Sequence, residues 1–384
     1  MKVLYCTHTP ITLSETFLRK TLNYLSDKFD VEVISTAARG DTEYPCKSTF
    51  LSFRMNRLCN KVIALLNLLV FAKSKAHSEF DIERKFIYDF FQKSKISADA
   101  AIIEYGTSAY KFAHALNHFG IPYVICFHGY DASAYLGFKW YSEQLQTISN
   151  GAIMNVVPSN HLRRRLELIG VRRNLIEVEP CAPDYNSLPI RNTQKSLNIT
   201  SLGRLTGKKL PQALILSAKL VVEKNPEVTF NIIGDGPLMD ECKLLLEDLN
   251  LGKQVNLLGA LDHQQALQLL SQANIFIQHS VTSAHGDQEG FPVSIAEASA
   301  LGIPVVSTAH SGIPEGIIDG VTGFLVQEHD FEAMAEKILL LIESEDLRSR
   351  MGAAATHHIR RVAPNFQREK TIVKVIKRGG AATA

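Results

Sequence analysis

Short β-rich runs alternate with helical patterns along this chain, and the alternation happens twice. Residues 2–6, 31–35, 100–104, 123–127, 151–157 and 175–178 read as strands; after an irregular break, so do 197–202, 229–234, 255–258, 275–278, 304–307 and 323–326. Helical stretches such as 15–25, 238–249 and 331–344 fill the intervals. Strands joined through helices pair in parallel and are covered on both faces, so the pattern specifies an α/β chain with two doubly wound, Rossmann-like parallel sheets. The break, PCAPDYNSLPIRNTQK at 180–195, is rich in Pro and Asn and has no period, which reads as a hinge. It divides the 384 residues, too many for one ordinary core, into domains at 1–187 and 188–361. Ligands of such sheets bind at the carboxyl ends of the strands, and two sheets facing one another make a cleft.

Composition narrows the class. An apolar fraction of 46%, a charged fraction of 21% and a net charge of +2 describe a soluble globular enzyme and give no reason to propose nucleic acid. The six cysteines are scattered, with no C-x-x-C pair and no His cluster at zinc spacing, as for reduced thiols in a cytoplasmic protein. The opening MKVLYCTHTP reads as a first strand rather than a signal peptide. The longest apolar run, 62–72, holds Asn67 and falls short of the roughly 20 residues of a spanning helix.

One stretch carries chemistry of its own. QEGFPVSIAEASALGIPVVST, residues 288–308, sets Glu289 and Glu297 eight positions apart around the expected start of a helix, with Pro292 early in it and Gly302 past its end. A helix start offers unpaired N–H groups and the positive end of a dipole, which suits a phosphate. Carboxylates there suit neighbouring sugars, whose hydroxyls donate to them. At 1.5 Å per residue the helix start lies roughly 8–9 Å from Glu297, about the reach of a diphosphate with a sugar at each end. Two solvated glutamates on a surface helix fit the same pair, until the rest of the chain is read with it.

Several further segments stand in a telling order: Gly203, Arg204 and Leu205 followed by Lys209 in a strand-to-helix loop, IIGDGP at 232–237, VNLLG at 255–259, and His285, Gly286 and Asp287 ahead of the glutamate stretch. HSGIPE at 310–315 precedes GFLV at 323–326, and the first half holds SETF at 14–17 and HGYD at 128–131. Together they resemble a retaining glycosyltransferase of family 4 with the two-domain GT-B fold. The likeness is nearest to enzymes of bacterial exopolysaccharide synthesis of the colanic acid and amylovoran kind.

The resemblance implies transfer of a sugar from a nucleoside-diphosphate sugar to a saccharide acceptor, polyprenyl-diphosphate-linked, in exopolysaccharide or O-antigen synthesis. The donor is expected in the C-terminal domain and the acceptor mainly in the N-terminal one, with a helix near 362–378 returning to the latter. Expulsion of a diphosphate needs fixed cations, and Arg204 and Lys209 supply a fork and a point charge at the sheet edge. By resemblance Glu289 contacts the donor sugar and Glu297 accepts from the ribose hydroxyls. The donor set is then Gly203, Arg204, Lys209, Leu258, Glu289, Gly290, Phe291, Pro292, Val293 and Glu297, with the 290–293 amides as a phosphate cradle. His128, Arg204, Lys209 and Glu289 are the catalytic candidates. Ser14, Glu15 and Asp131 belong to the acceptor or phosphate side; Ser14 reads equally as an N-cap with Glu15 as an early helical acid, and Asp131 equally as a brace for its loop. Glu315 is a further donor-side candidate.

The chain departs from the family's pattern at two places. It has Leu210 where the family has glycine after the lysine, and no glycine in the loop after its first strand, which holds His8, Thr9 and Pro10. Asp287, Gln288 and Glu289 resemble an acidic metal motif, but helix start, Arg204 and Lys209 already answer the diphosphate charge, so neither metal nor other cofactor is expected. Residues 54–75, apolar with basic flanks, suit either the inner face of a membrane or an ordinary core helix. Competing readings are a nucleotide-sugar epimerase or a phosphorylase of the same fold, or a non-catalytic nucleotide-sugar-binding module. The paired cations favour transfer.

Overall fold

The computed structural model describes residues 1–8, 15–36, 44–51, 75–192 and 196–381. They group into two compact units. The first takes residues up to Val157, then 163–178 and the C-terminal helix from Arg368; the second takes 158–162 and 179–367.

The first unit holds β1 (Lys2–Thr7), β2 (Asp30–Ser35), β3 (Lys47–Phe50), β4 (Ala100–Glu104), β5 (Tyr123–Cys126), β6 (Met154–Val157) and β7 (Ile176–Val178). All pair in parallel in the order β3-β2-β1-β4-β5-β6-β7. The second holds β8 (Asn198–Leu202), β9 (Thr229–Ile233), β10 (Val255–Gly259), β11 (Ile275–Gln278), β12 (Val305–Thr308) and β13 (Gly323–Val326), again all parallel, in the order β10-β9-β8-β11-β12-β13. Both sheets are therefore doubly wound. Their direction of winding reverses between β1 and β4 and between β8 and β11, where such sheets open a ligand crevice at the carboxyl edge.

Burial on both faces explains the unbroken apolar strands. In the first unit Val3, Tyr5, Ile102 and Val124 pack with Leu18 and Leu22 of the helix Thr16–Ser26 and with Ile372 and Ile376 of the helix Gln367–Ala381. In the second, Ile199, Phe230, Ile275 and Val306 pack with Ile215 and Val221 of the helix Pro211–Lys224 and with Met334 and Ile338 of the helix Phe331–Glu343. Leu, Ile and Phe side chains buried this way contribute about 1.5–3 kcal/mol each.

The structure departs from the sequence-based expectation in a few elements. The expected strand 151–157 starts only at Met154, because Gly151 still closes the helix Lys139–Gly151; an apolar run does not mark where helix gives way to strand. Strand β3 is short, half-exposed and lacks apolar alternation, so nothing in its sequence announces it. Helix Thr16–Ser26 has Glu15 itself at the N-cap, with no side-chain cap bond, rather than as an early helical acid. Ser14 and residues 54–74 lie outside the described residues. Among those described, no helix is long and apolar enough to cross a membrane.

Candidate functional site

In the second unit, the candidate residues gather at the carboxyl edge beside the β8/β11 reversal. Strand β8 ends at Leu202 and hands over to Gly203 and Arg204; β11 ends at Gln278 and leads through the 279–292 connection to the helix Val293–Ala300. Lys209, in a turn of 3-10 helix, meets Glu289 with Nζ 2.9 Å from Oε1; the Glu289 side chain is buried and that of Lys209 mostly so. Burial alone would push the Glu289 carboxyl up, but the Lys209 ammonium, with Lys208 nearby, holds it at about 2. Burial lowers the Lys209 ammonium, and Glu289 opposes that. Next to this pair Lys208 reaches both oxygens of Asp287 at 3.2 Å. Two adjacent lysines thus tie the 203–210 loop to the 285–290 loop.

Glu289 is held by its backbone as well. Its N–H donates to His310 Nε2 at 3.1 Å, so His310 carries its proton on Nδ1 and donates to Glu328 Oε1 at 2.7 Å. Glu328 in turn accepts the Thr282 N–H at 2.9 Å. The hydroxyls of Ser280 and Ser311 donate to the Glu289 side chain and carbonyl respectively. Gly312 passes so close that a Cβ there would lie 2.0 Å from the Gly290 carbonyl oxygen.

The helix Val293–Ala300 begins after Pro292, which occupies the N-cap. Proline has no N–H, so any phosphate cradle rests on the amides of Gly290, Phe291 and Val293. The Phe291 side chain is committed to the core with Ala182, Ala300 and Ile359, leaving only its backbone to a ligand. Glu297, two turns from the Glu289 connection, is buried and pairs with His263, whose Nε2 lies 2.8 Å from Oε1. That bond holds His263 above the usual imidazole range. Because the folded value is raised, the pair stabilises the unit fully below the ordinary pH of 6.5 and less as pH rises through the folded value. Replacing His263 with Gln is expected to flatten the stability profile from pH 6 to 8 by up to about 1 kcal/mol, as seen in denaturant midpoints. An unchanged slope would mean the pair does not titrate.

Arg204 is exposed, and its side chain makes no hydrogen bond or ion pair among the described residues, leaving its fork to solvent. Leu258, at the edge strand β10, is one-third exposed. Leu210 stands in the left-handed region at φ 35°, ψ 60°, just before Pro211. That is the position where the resembled family has glycine; leucine fills it with strain of about 1–2 kcal/mol. Leu210→Gly is therefore expected to raise stability by about 0.5–1 kcal/mol after the glycine's own entropy is counted, a gain readable by calorimetry. Lower stability would show that the leucine's packing outweighs the strain. Both oxygens of Glu315 accept N–H groups at the start of the helix Asn160–Leu168, from Asn160 at 3.0 and 2.8 Å and His161 at 3.2 Å.

The first unit has its own polar centre at the β1/β4 reversal. His128 follows β5, and its Nε2 lies 2.6 Å from Oε2 of Glu104, the last residue of β4. Asp131 is fully buried, and its carboxylate accepts N–H groups from His128 at 3.1 Å, Gly129 at 2.9 Å and Gly106 at 2.8 Å. It braces two loops, the second of the two roles read for it. Glu15 accepts the Tyr105 hydroxyl. His8, just past β1, contacts Ser108 Oγ through Nδ1 at 2.7 Å and the Tyr130 hydroxyl through Nε2 at 3.1 Å; burial, with the Lys111 charge, pushes it down to about 3, so it is neutral.

Sequence reasoning missed Lys208, His263, His310, Glu328, Glu104 and Tyr105. His310 stood inside the quoted 310–315 segment, which was the available signal. The others are joined only by the fold.

Among known proteins, the family match is local. Residues 189–358 match the family model Glycosyl transferases group 1. Of curated relatives, the chain is 33% identical over 215 residues to the putative colanic acid biosynthesis glycosyltransferase WcaL of Escherichia coli (strain K12), covering 55% of this chain and 53% of that protein. It is 37% identical over 180 residues to the amylovoran biosynthesis glycosyltransferase AmsK of Erwinia amylovora, covering 47% and 43%. The chain thus spans about half the length of the curated relatives it matches. A crystal structure of Anabaena Alr3699/HepE in complex with UDP superposes with a TM-score of 0.74 at 17% identity, covering 98% of this chain and 100% of that one. The fold is GT-B: two Rossmann-like parallel-sheet units.

Proposed function

We propose that this chain is a retaining glycosyltransferase that moves a hexosyl group from a nucleoside-diphosphate sugar to a lipid-linked saccharide in exopolysaccharide synthesis. The observation that carries the reading is the buried Lys209–Glu289 pair beside the exposed Arg204, at the carboxyl edge of β8 and ahead of a helix start. A cation, a guanidinium and amide donors fit a leaving diphosphate, whose charge grows in the transition state. Glu289 and Glu297 fit the sugar hydroxyls on either side of it. The group 1 match over 189–358 and the polysaccharide roles in the relatives' names support the same reading.

The first unit's loops, with His128 and Glu15, are assigned to the saccharide acceptor. Metal independence belongs to the proposal too. It is supported by Asp287, whose carboxylate Lys208 already engages. Purified protein incubated with radiolabelled nucleotide sugars and polyprenyl-diphosphate-linked acceptor is expected to release nucleoside diphosphate only when acceptor is present. The rate should be unaffected by EDTA, and proton NMR of the product should show the donor's anomeric configuration. An inverted product would refute the retaining mechanism, and loss of activity in EDTA would refute metal independence.

A further inference from the structure

Glu104 ends β4 with no exposed surface, and three side chains converge on it. The Tyr5 hydroxyl donates to Oε1 at 2.9 Å, and Arg368 Nη2 reaches Oε1 and Oε2 at 3.3 and 3.1 Å. His128 Nε2 completes the set at 2.6 Å. Burial would push this carboxyl up, yet the Arg368 charge and the His128 and Tyr5 hydrogen bonds hold it at about 2. Glu104 is thus an anion with acceptor sites only, and its partner nitrogen must be a donor. His128 therefore carries a proton on Nε2.

The other half of the arrangement comes from the far end of the chain. Arg368 lies in the first turn of the helix Gln367–Ala381 and is 3% exposed. Its Nη1 donates to Thr21 Oγ1 at 2.7 Å, and that hydroxyl donates to Glu369 Oε1 at 2.9 Å. The guanidinium is held by Thr21 at one end and by Glu104 at the other. The His128 ring is confined in turn, with ring centres of Phe17 at 4.8 Å and Tyr105 at 4.6 Å. A buried ion pair costs desolvation and is weak evidence for stability alone, whereas a carboxylate behind an imidazole fixes its tautomer and orientation.

We infer that Glu104 and Arg368 are positioning residues for His128: the C-terminal helix holds the carboxylate that orients the imidazole through a protonated Nε2. This rests on the reading of His128 as a residue that meets substrate. A plain structural staple between helix and sheet would show the same contacts but would not need the anion.

Glu104→Gln in the 384-residue chain separates the two, because its amide can donate toward Nε2 and so favours the Nδ1-protonated form. Ring-nitrogen NMR of labelled histidine is expected to show Nε2–H in the wild type and a shift toward Nδ1–H in the variant. Release of nucleoside diphosphate from UDP-glucose or GDP-mannose, whichever the wild type turns over, is expected to fall about 10- to 100-fold in kcat with KM within about 3-fold. Arg368→Gln is expected to lower kcat in the same sense, with thermal melting confirming that each variant folds. An unchanged tautomer in folded Glu104→Gln, or unchanged kcat there while His128→Ala lowers it, overturns the proposal. A silent His128→Ala removes the underlying reading and the proposal with it, which is distinct from a failure at Glu104.

Discussion

Lys209→Ala is expected to slow turnover about 10²–10³-fold and to destabilise the second unit by about 3 kcal/mol. The two losses have different origins. Turnover falls because a cation aimed at developing diphosphate charge is gone. Stability falls because Glu289, almost wholly buried and held at about 2, loses the partner that keeps it ionised at low cost. Arg204, exposed and on the same loop, cannot replace a partner that sits inside. A second substitution separates the effects: in Lys209→Met/Glu289→Gln, two neutral groups replace the buried pair, so stability should return to within about 1 kcal/mol of wild type. Turnover should not return. Recovery of turnover in the double variant would show that the pair only holds the loops together, and denaturant titration with initial rates on the same samples reads both quantities.

Gly234→Ala is expected to cost about 3 kcal/mol or more, lowering Tm by roughly 6–12 °C. Gly234 follows β9 at φ +136°, and a Cβ there would stand 2.0 Å from the Gly203 carbonyl oxygen. The obstruction is backbone, so no side-chain rotation relieves it, and the strained φ adds about 1–2 kcal/mol. Relief requires moving Gly203, which carries Arg204 with it, so donor affinity should fall along with stability. Gly252→Ala is the control: nothing lies within 4 Å of its Cβ, and the change should be within about 0.5 kcal/mol. Equal melting temperatures for the two variants would show that the 234 turn can slide without cost.

Much of the fold was legible because doubly wound sheets leave a plain trace. Strands buried on both faces, such as β4 and β11, are apolar up to a polar last residue. An edge strand such as β3 needs no such run and left none. The site was legible in its parts rather than its joins. Glu289, Glu297, Arg204 and Lys209 were each nameable from spacing and resemblance, and Leu210 was visible as a departure. That Lys209 spends its charge on Glu289, and Glu297 shares its carboxylate with His263, is set by tertiary packing across 34 positions or more. Arg368 and Glu104 lie 264 positions apart, and no local pattern relates them. Pro292 shows the opposite limit. Its identity alone, not its position, removes one amide from the expected cradle.

Calorimetric titration of the 384-residue chain with UDP and with GDP tests the central claim most directly. The glutamate helix and the cationic loop of the second unit are expected to bind one of the two nucleotides in the absence of any acceptor. Glu297→Ala should weaken that binding at least about 10-fold, the loss of hydrogen bonds from two hydroxyls to a charged acceptor. Absence of binding to either nucleotide, or an affinity unchanged in Glu297→Ala, would contradict the account.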